Sequence, residues 1–143
     1  MMERELVTPE RIESLMRALN GSQAFREASA DWGNGFNGNV LLVFEAEPGE
    51  GDPARTGVLL RLEAGGCRGA ERVDAAEHAE AGFVFRARRS VWSEMLDGST
   101  DPLGAAMSGR LKVEGNYLLL LRHAKIAPSV VACVAEAGIT FDA

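Results

Sequence analysis

The amino-acid sequence predicts an α+β fold, and three observations support this prediction. Five short segments alternate apolar and polar residues with a period of two, which is typical of β-strands with one buried face. The first three of these segments follow one another through local connections, which favours an antiparallel meander. Segments with helical spacing precede the first strand and follow the fourth. At 143 residues, the chain is most simply one domain, residues 1–143.

Two short helices are predicted before the first strand. Thr8 is a good N-cap and Pro9 pre-sets the first helical residue, so a helix begins here and ends at Asn20-Gly21. Ser22 then caps a shorter helix. Neither helix is long enough to be stable alone, so both are expected to pack against the sheet.

The first four strands are predicted over residues 40–47, 58–63, 67–73 and 83–86. The turn at Ala64-Gly65-Gly66 reads as a hairpin between the second and third strands. In the first strand the even positions Val40, Leu42, Phe44 and Ala46 share one face.

Residues 91–115 combine two short helices and a strand. Ser90 is the expected N-cap of the first helix, which Gly98 ends, and Asp101-Pro102 opens the second, which ends at Gly109. Leu111 and Val113 then alternate with charged residues in a fifth strand. Because both helices lie between the fourth and fifth strands, we expect those strands to be parallel.

Two further helices are expected after the fifth strand. Asn116 caps a helix that runs to about Ala124, and Pro128 starts a last helix that Gly138 ends.

The ordered small and apolar residues of this region closely resemble the sterol carrier protein 2 family, in its short bacterial type. The shared pattern is Trp92, Leu96, Gly98, Asp101-Pro102, Met107, Ser108-Gly109, Leu111, Val113 and Gly115-Asn116. The resemblance implies a five-stranded, mostly antiparallel sheet covered on one face by helices, with an internal apolar tunnel for fatty acyl or sterol-like ligands. The tunnel walls that it implies are Phe44, Phe83, Phe85, Trp92, Met95, Met107, Leu111, Val113 and Leu118.

Composition limits the partners. The formal charge of −6 argues against binding to nucleic acid or to anionic lipid. The longest apolar run, residues 117–121, is too short to span a bilayer, so no stable membrane insertion is expected. Cys67 and Cys133 are far apart and indicate neither a disulfide framework nor a zinc site. These features, with no signal-like start, favour a cytoplasmic protein that needs no cofactor.

Candidate catalytic groups are sparse. The motif from Gly33 to Gly38 matches G-x-G-x-x-G, but it follows a helix and precedes a strand, so it is interpreted as a connection rather than a dinucleotide site. His78 and His123 are the only histidines, and no Asp or Cys at a suitable spacing completes a site with them. Neither cysteine has an activating neighbour. The sequence therefore predicts no catalytic and no metal-binding residue.

Three functions remain open from the sequence. The first is a non-enzymatic carrier that shields a fatty acyl chain, an acyl thioester or an isoprenoid or sterol-like lipid. The second is an accessory or scaffold domain whose groove engages a protein partner or a second copy of the chain. The third and weakest is an enzyme acting on an acyl substrate through His123 or Cys67. Four residues are candidates to meet an anionic headgroup: Arg61, Arg86, Arg110 and Lys112.

Overall fold

The computed structural model describes residues 7–46, 56–74 and 80–139, with the side chain of Asp74 excepted. Their secondary structure comprises six helices and five strands. The helices are α1 (Pro9–Gly21), α2 (Gln23–Ala28), α3 (Arg89–Leu96), α4 (Pro102–Met107), α5 (Tyr117–Arg122) and α6 (Ile126–Glu136). The strands are β1 (Val40–Glu45), β2 (Thr56–Glu63), β3 (Gly66–Asp74), β4 (Phe83–Arg88) and β5 (Lys112–Glu114). The α+β prediction is confirmed.

The five strands form one mixed sheet in the order β3-β2-β1-β4-β5. Three neighbouring pairs are antiparallel, and only β1 and β4 run parallel. The prediction of a parallel β4–β5 pair is wrong, because β5 begins beside the end of β4, where Lys112 pairs with Arg86. Helices α3 and α4 lead the chain away from the sheet and back to the same end, whereas a single crossover helix would carry it to the other end.

The helical face of the sheet carries the main hydrophobic core. Val40, Leu42 and Phe44 of β1 all point into it, as the even positions predicted. The odd positions Leu41 and Val43 form a smaller cluster with Leu59 on the opposite face. Both faces of β1 are therefore apolar, which agrees with its central position in the sheet.

Most helix starts lie where the capping residues predicted them. The side chains of Thr8, Ser22, Asp101 and Asn116 each accept a backbone N–H bond in the first turn of the following helix. Ser90 is not an N-cap, because β4 runs into α3 without a linker. The helix already begins at Arg89, and the capping position, Arg88, makes no side-chain capping bond.

The G-x-G-x-x-G stretch is the connection between α2 and β1, as predicted. The buried Trp32 organises it by donating an indole N–H bond to the carbonyl of Gly38 at 2.6 Å. A Cβ at Gly38 would lie 2.7 Å from the Trp32 ring, so this close approach requires glycine.

Candidate functional site

An apolar pocket lies where β4 and β5 meet the three C-terminal helices α4, α5 and α6. Its lining contains no charged residue, and the Tyr117 side chain brings the one hydroxyl group. The lining residues are Phe85, Pro102, Leu103, Ala106, Leu111, Val113, Tyr117, Leu120, Leu121, Ala124, Ala127 and Pro128. The pocket therefore favours an uncharged, apolar occupant.

The pocket is small in this conformation, with a cavity volume of about 40 Å³. A single water needs about 10–15 Å³ by this measure, so the cavity holds roughly three waters and no long lipid chain. The internal tunnel implied by the family resemblance is thus not open here. Binding of a lipid-sized ligand requires one wall to move.

Helix α5 is the wall least tied to the rest of the molecule. It has six residues, none of its side chains is buried, and it packs only lightly on the neighbouring elements. Leu121 and Tyr117 on this helix, with Leu103 on α4, are 44–47% exposed, so the pocket is open to solvent between α4 and α5. A helix this short gains little stability by itself, and local opening at α5 therefore costs little free energy.

Helix α5 is nevertheless capped at its start and anchored on the core at its end. At its start, the Asn116 side chain accepts backbone N–H bonds from Leu118 and Leu119, at 3.1 and 3.2 Å. At its end, the His123 ring packs edge-on against Trp32, with ring centroids 5.3 Å apart. Trp32 is fully buried and also contacts Phe83. Helix α5 is therefore anchored at its C-terminal end, while its middle covers the pocket only loosely.

Three of the nine residues assigned to the tunnel line this pocket: Phe85, Leu111 and Val113. Four others are buried in the core outside the lining: Phe44, Phe83, Trp92 and Met95. Trp92 packs edge-on against Phe44 and donates an indole N–H bond to the Val43 carbonyl at 2.9 Å. Its observed contacts are thus those of a residue that joins α3 to β1.

Met107 and Leu118, the last two of the nine, also lie outside the lining, 77% and 72% exposed. Successive helical residues are rotated by about 100°, so when Ala106 faces the pocket its neighbour Met107 turns towards solvent. Leu103 and Ala106 are wall residues that the sequence reasoning missed. Their spacing of three is not a sufficient signal, because Leu103 and Met107 are also one helical turn apart.

None of the four headgroup candidates lines the pocket. Arg61 lies 2.8 and 3.0 Å from the carboxylates of Glu71 and Glu80, whose hydrogen bonds raise the pKa of its guanidinium. Arg86 bonds Glu114 at 3.0 Å, and Arg110 bonds Glu94 at 2.7 Å.

Lys112, the fourth candidate, sits between Leu111 and Val113, which both line the pocket. Since side chains alternate along a strand, it points to the other face of the sheet.

The two cysteines are buried, and His123, the histidine that the structure describes, packs against Trp32. Cys67 is buried and its thiol donates to the Gly69 carbonyl at 3.3 Å, and burial raises the pKa of this thiol to about 11. Burial also raises the pKa of Cys133. His78 lies outside the described residues.

Within residues 7–46, 56–74 and 80–139, no cluster of His, Cys, Asp and Glu suited to a metal ion occurs. None of the helices described is long and apolar enough to cross a bilayer.

Comparisons with known proteins agree with this architecture. Residues 36–128 match the model of the SCP-2 sterol transfer family. A crystal structure of sterol carrier protein 2 is similar at 35% identity and a TM-score of 0.78, covering 92% of this chain and 98% of that one. A conserved hypothetical protein from Thermus thermophilus is 33% identical with a TM-score of 0.77, covering 100% of this chain and 96% of its own.

A more distant structure, the apo form of sterol carrier protein 2 from Yarrowia lipolytica, shares the fold at 14% identity. Its TM-score is 0.51, and the alignment covers 91% of this chain and 97% of that one. Comparison with curated proteins gives no match.

Proposed function

Because this chain belongs to the SCP-2 sterol transfer family, we propose that it is a non-enzymatic carrier whose ligand enters the pocket beneath α5. The observation that carries the proposal is a charge-free apolar pocket covered by a helix with no buried side chain. Such a cover leaves apolar surface in water when the pocket is empty, since Leu121 is 47% exposed and Leu120 is only partly buried. A hydrophobic ligand would supply that packing.

We assign the ligand class as a straight acyl chain, carried as a fatty acid or an acyl thioester. A sixteen-carbon chain gains on the order of 11 kcal/mol on leaving water, at about 0.8 kcal/mol per methylene. Association and ordering cost about 4 kcal/mol or more, so micromolar or tighter binding is feasible even when α5 must move. An apolar pocket selects by length and girth, because removal from water has no preferred direction.

The headgroup is expected to remain at the mouth, in water. The lining offers no cation, and a carboxylate buried without a partner is strongly disfavoured. A fatty acid and its methyl ester should therefore bind with similar affinity. The covalent state of the headgroup has no role in the pocket, which agrees with a carrier rather than an enzyme.

Thermal unfolding of delipidated protein tests this function. Saturated fatty acids of increasing length should raise Tm progressively until the widened pocket is full, since binding to the native state adds RT ln(1 + [L]/Kd), about 2.7 kcal/mol at a hundredfold excess over Kd. Methyl esters are the matched control for the headgroup. A strong shift with a quinone or a sterol but not with acyl chains would refute the acyl assignment. No shift with any hydrophobic ligand would refute the carrier function.

A further inference from the structure

Among the residues described, Tyr117 brings the one side-chain hydroxyl to the pocket lining, at the edge where the pocket meets solvent. It is the first residue of α5 and is 44% exposed. Its ring lies on the same helical face as Leu120 and Leu121, three and four residues further on, and all three side chains line the pocket. The tyrosine therefore continues the apolar wall of α5 with its ring and ends that wall in a polar group.

The hydroxyl of Tyr117 has no hydrogen-bond partner within the described part of the chain. Two neighbouring backbone donors are already used, because the N–H groups of Leu118 and Leu119 bond the Asn116 side chain at 3.1 and 3.2 Å. The described lining also holds no charged side chain that could pair with the hydroxyl. An exposed hydroxyl in this position can exchange a bond to water for a bond to a ligand at little cost.

We propose that Tyr117 is a specificity-determining residue of the pocket and that its hydroxyl donates a hydrogen bond to the carbonyl oxygen of the bound acyl ligand. This inference rests on the proposed function, which assigns an acyl chain to the pocket. A fatty acid, its methyl ester and an acyl thioester share that carbonyl, and a neutral phenol can donate to each of them. The hydroxyl thus selects for an acyl carbonyl at the mouth and leaves the rest of the headgroup in water.

The selectivity that this bond provides is expected to be modest. A site with a buried polar group rejects a ligand that leaves the group unpaired by about 10⁴-fold or more. Tyr117 is 44% exposed, so its hydroxyl returns to water when a ligand offers no acceptor. We therefore expect the bond to contribute about three- to tenfold in Kd, the range of a net hydrogen bond between neutral groups.

Two ligands and one variant of the full chain test the proposal. Methyl dodecanoate carries the carbonyl, and tetradecane is a straight chain with the same number of chain atoms and no oxygen. Tyr117→Phe removes only the hydroxyl and keeps the ring, and at this exposed position it should have little effect on folding. Each Kd is measured on delipidated protein by competition with a fluorescent fatty acid, whose own Kd is determined for every variant.

The quantity compared is the ratio of the variant Kd to the wild-type Kd for each ligand, because this ratio cancels the different solubilities of the ester and the alkane. Tyr117→Phe should raise the Kd of the ester about three- to tenfold and leave that of the alkane within about twofold. The matched control is Leu121→Ala, since Leu121 lies on the same helical face, is 47% exposed and has no polar group. It should raise both Kd values by the same factor. Equal ratios for the two ligands in Tyr117→Phe would overturn the proposal.

A signal from the tyrosine itself gives a second measurement. Tyr117 is the only tyrosine of the chain, so protein containing tyrosine labelled with ¹³C at Cζ gives one NMR signal for this carbon. Methyl dodecanoate should shift this signal much more than tetradecane does, because the ring contacts both ligands but only the ester accepts a bond from the hydroxyl. Shifts of equal size would also overturn the proposal.

The same measurements separate this inference from the proposed function. Binding of both ligands to wild type, with equal ratios in Tyr117→Phe, would refute the role of Tyr117 and leave the carrier function standing. Binding of neither ligand to wild type would refute the carrier function and this inference with it.

Discussion

Filling the pocket from α4 should block ligand binding, and adjacent residues provide the test and its control. Ala106 lines the pocket, whereas Met107 is 77% exposed and lies outside the lining. We predict that Ala106→Phe lowers the affinity for a sixteen-carbon fatty acid strongly and that Met107→Phe leaves it within about twofold, since surface changes usually have small effects.

The expected loss of affinity follows from the volume that the new phenyl ring takes from the ligand. The phenyl ring would occupy the space of about four methylene groups of the ligand, and at about 0.8 kcal/mol each this removes roughly 3 kcal/mol of binding free energy. Every 1.4 kcal/mol is tenfold in Kd, so the expected loss is about a hundredfold. Because the cavity without ligand is only about 40 Å³, the ring also crowds the apo protein, with an expected cost of about 1–3 kcal/mol in stability.

Isothermal titration of delipidated protein with the fatty acid measures the affinity, and far-UV circular dichroism with a melting curve shows that each variant is folded. A length series adds a second criterion. In Ala106→Phe, shorter chains should lose less affinity than longer ones, because they need less of the pocket. A folded Ala106→Phe protein with wild-type affinity for the long chain would show that the ligand lies elsewhere. A similar loss of affinity in Met107→Phe would show that the face of α4 carrying Met107 also contacts the ligand, which would contradict the assigned wall.

Three other predictions concern stability and reactivity. Trp92→Phe should cost about 1–3 kcal/mol in urea unfolding, because a buried carbonyl of β1 loses its donor; an unchanged midpoint would contradict this role. Gly38→Ala should destabilise the fold, because the added Cβ would clash with Trp32. Gly104→Ala on α4 should stabilise the fold by about 0.4–1 kcal/mol, because no atom lies within 4 Å of the added Cβ. Similar urea-unfolding midpoints for the two variants would be inconsistent with the close approach of Gly38 to Trp32. The folded state favours the neutral Cys67 thiol, so its contribution to stability should be complete below the ordinary pKa of 9.0 and be lost as pH rises towards about 11. Chemical denaturation across this range should show that decline in wild type and a smaller one in Cys67→Ala.

Features of the fold that depend on residues close together in the sequence could be predicted from the sequence. The helix starts after Thr8, Asp101 and Asn116 involve bonds that span only two or three residues, so each capping signal is complete within its own segment. The hairpin at Ala64-Gly65 is equally local, since both turn residues adopt the left-handed backbone that the flanking strands require, with φ of 50° and 83°. The ordered apolar and small residues of residues 91–115 identified the family for the same reason.

The direction of β5 and the face that α4 presents to the pocket were decided only by the tertiary structure. Strand β5 has three residues, and nothing in them encodes whether the path through α3 and α4 returns to the near or the far end of β4. On a helix of six residues, Ala106 and Met107 are both apolar, so no stripe distinguishes the wall from the surface until β5 and α6 take their positions. Arg86 and Arg110 looked available for a headgroup because their partners, Glu114 and Glu94, lie 28 and 16 residues away along the chain. These contacts form between residues that are far apart in the sequence, so they depend on tertiary packing and cannot be predicted from local sequence patterns.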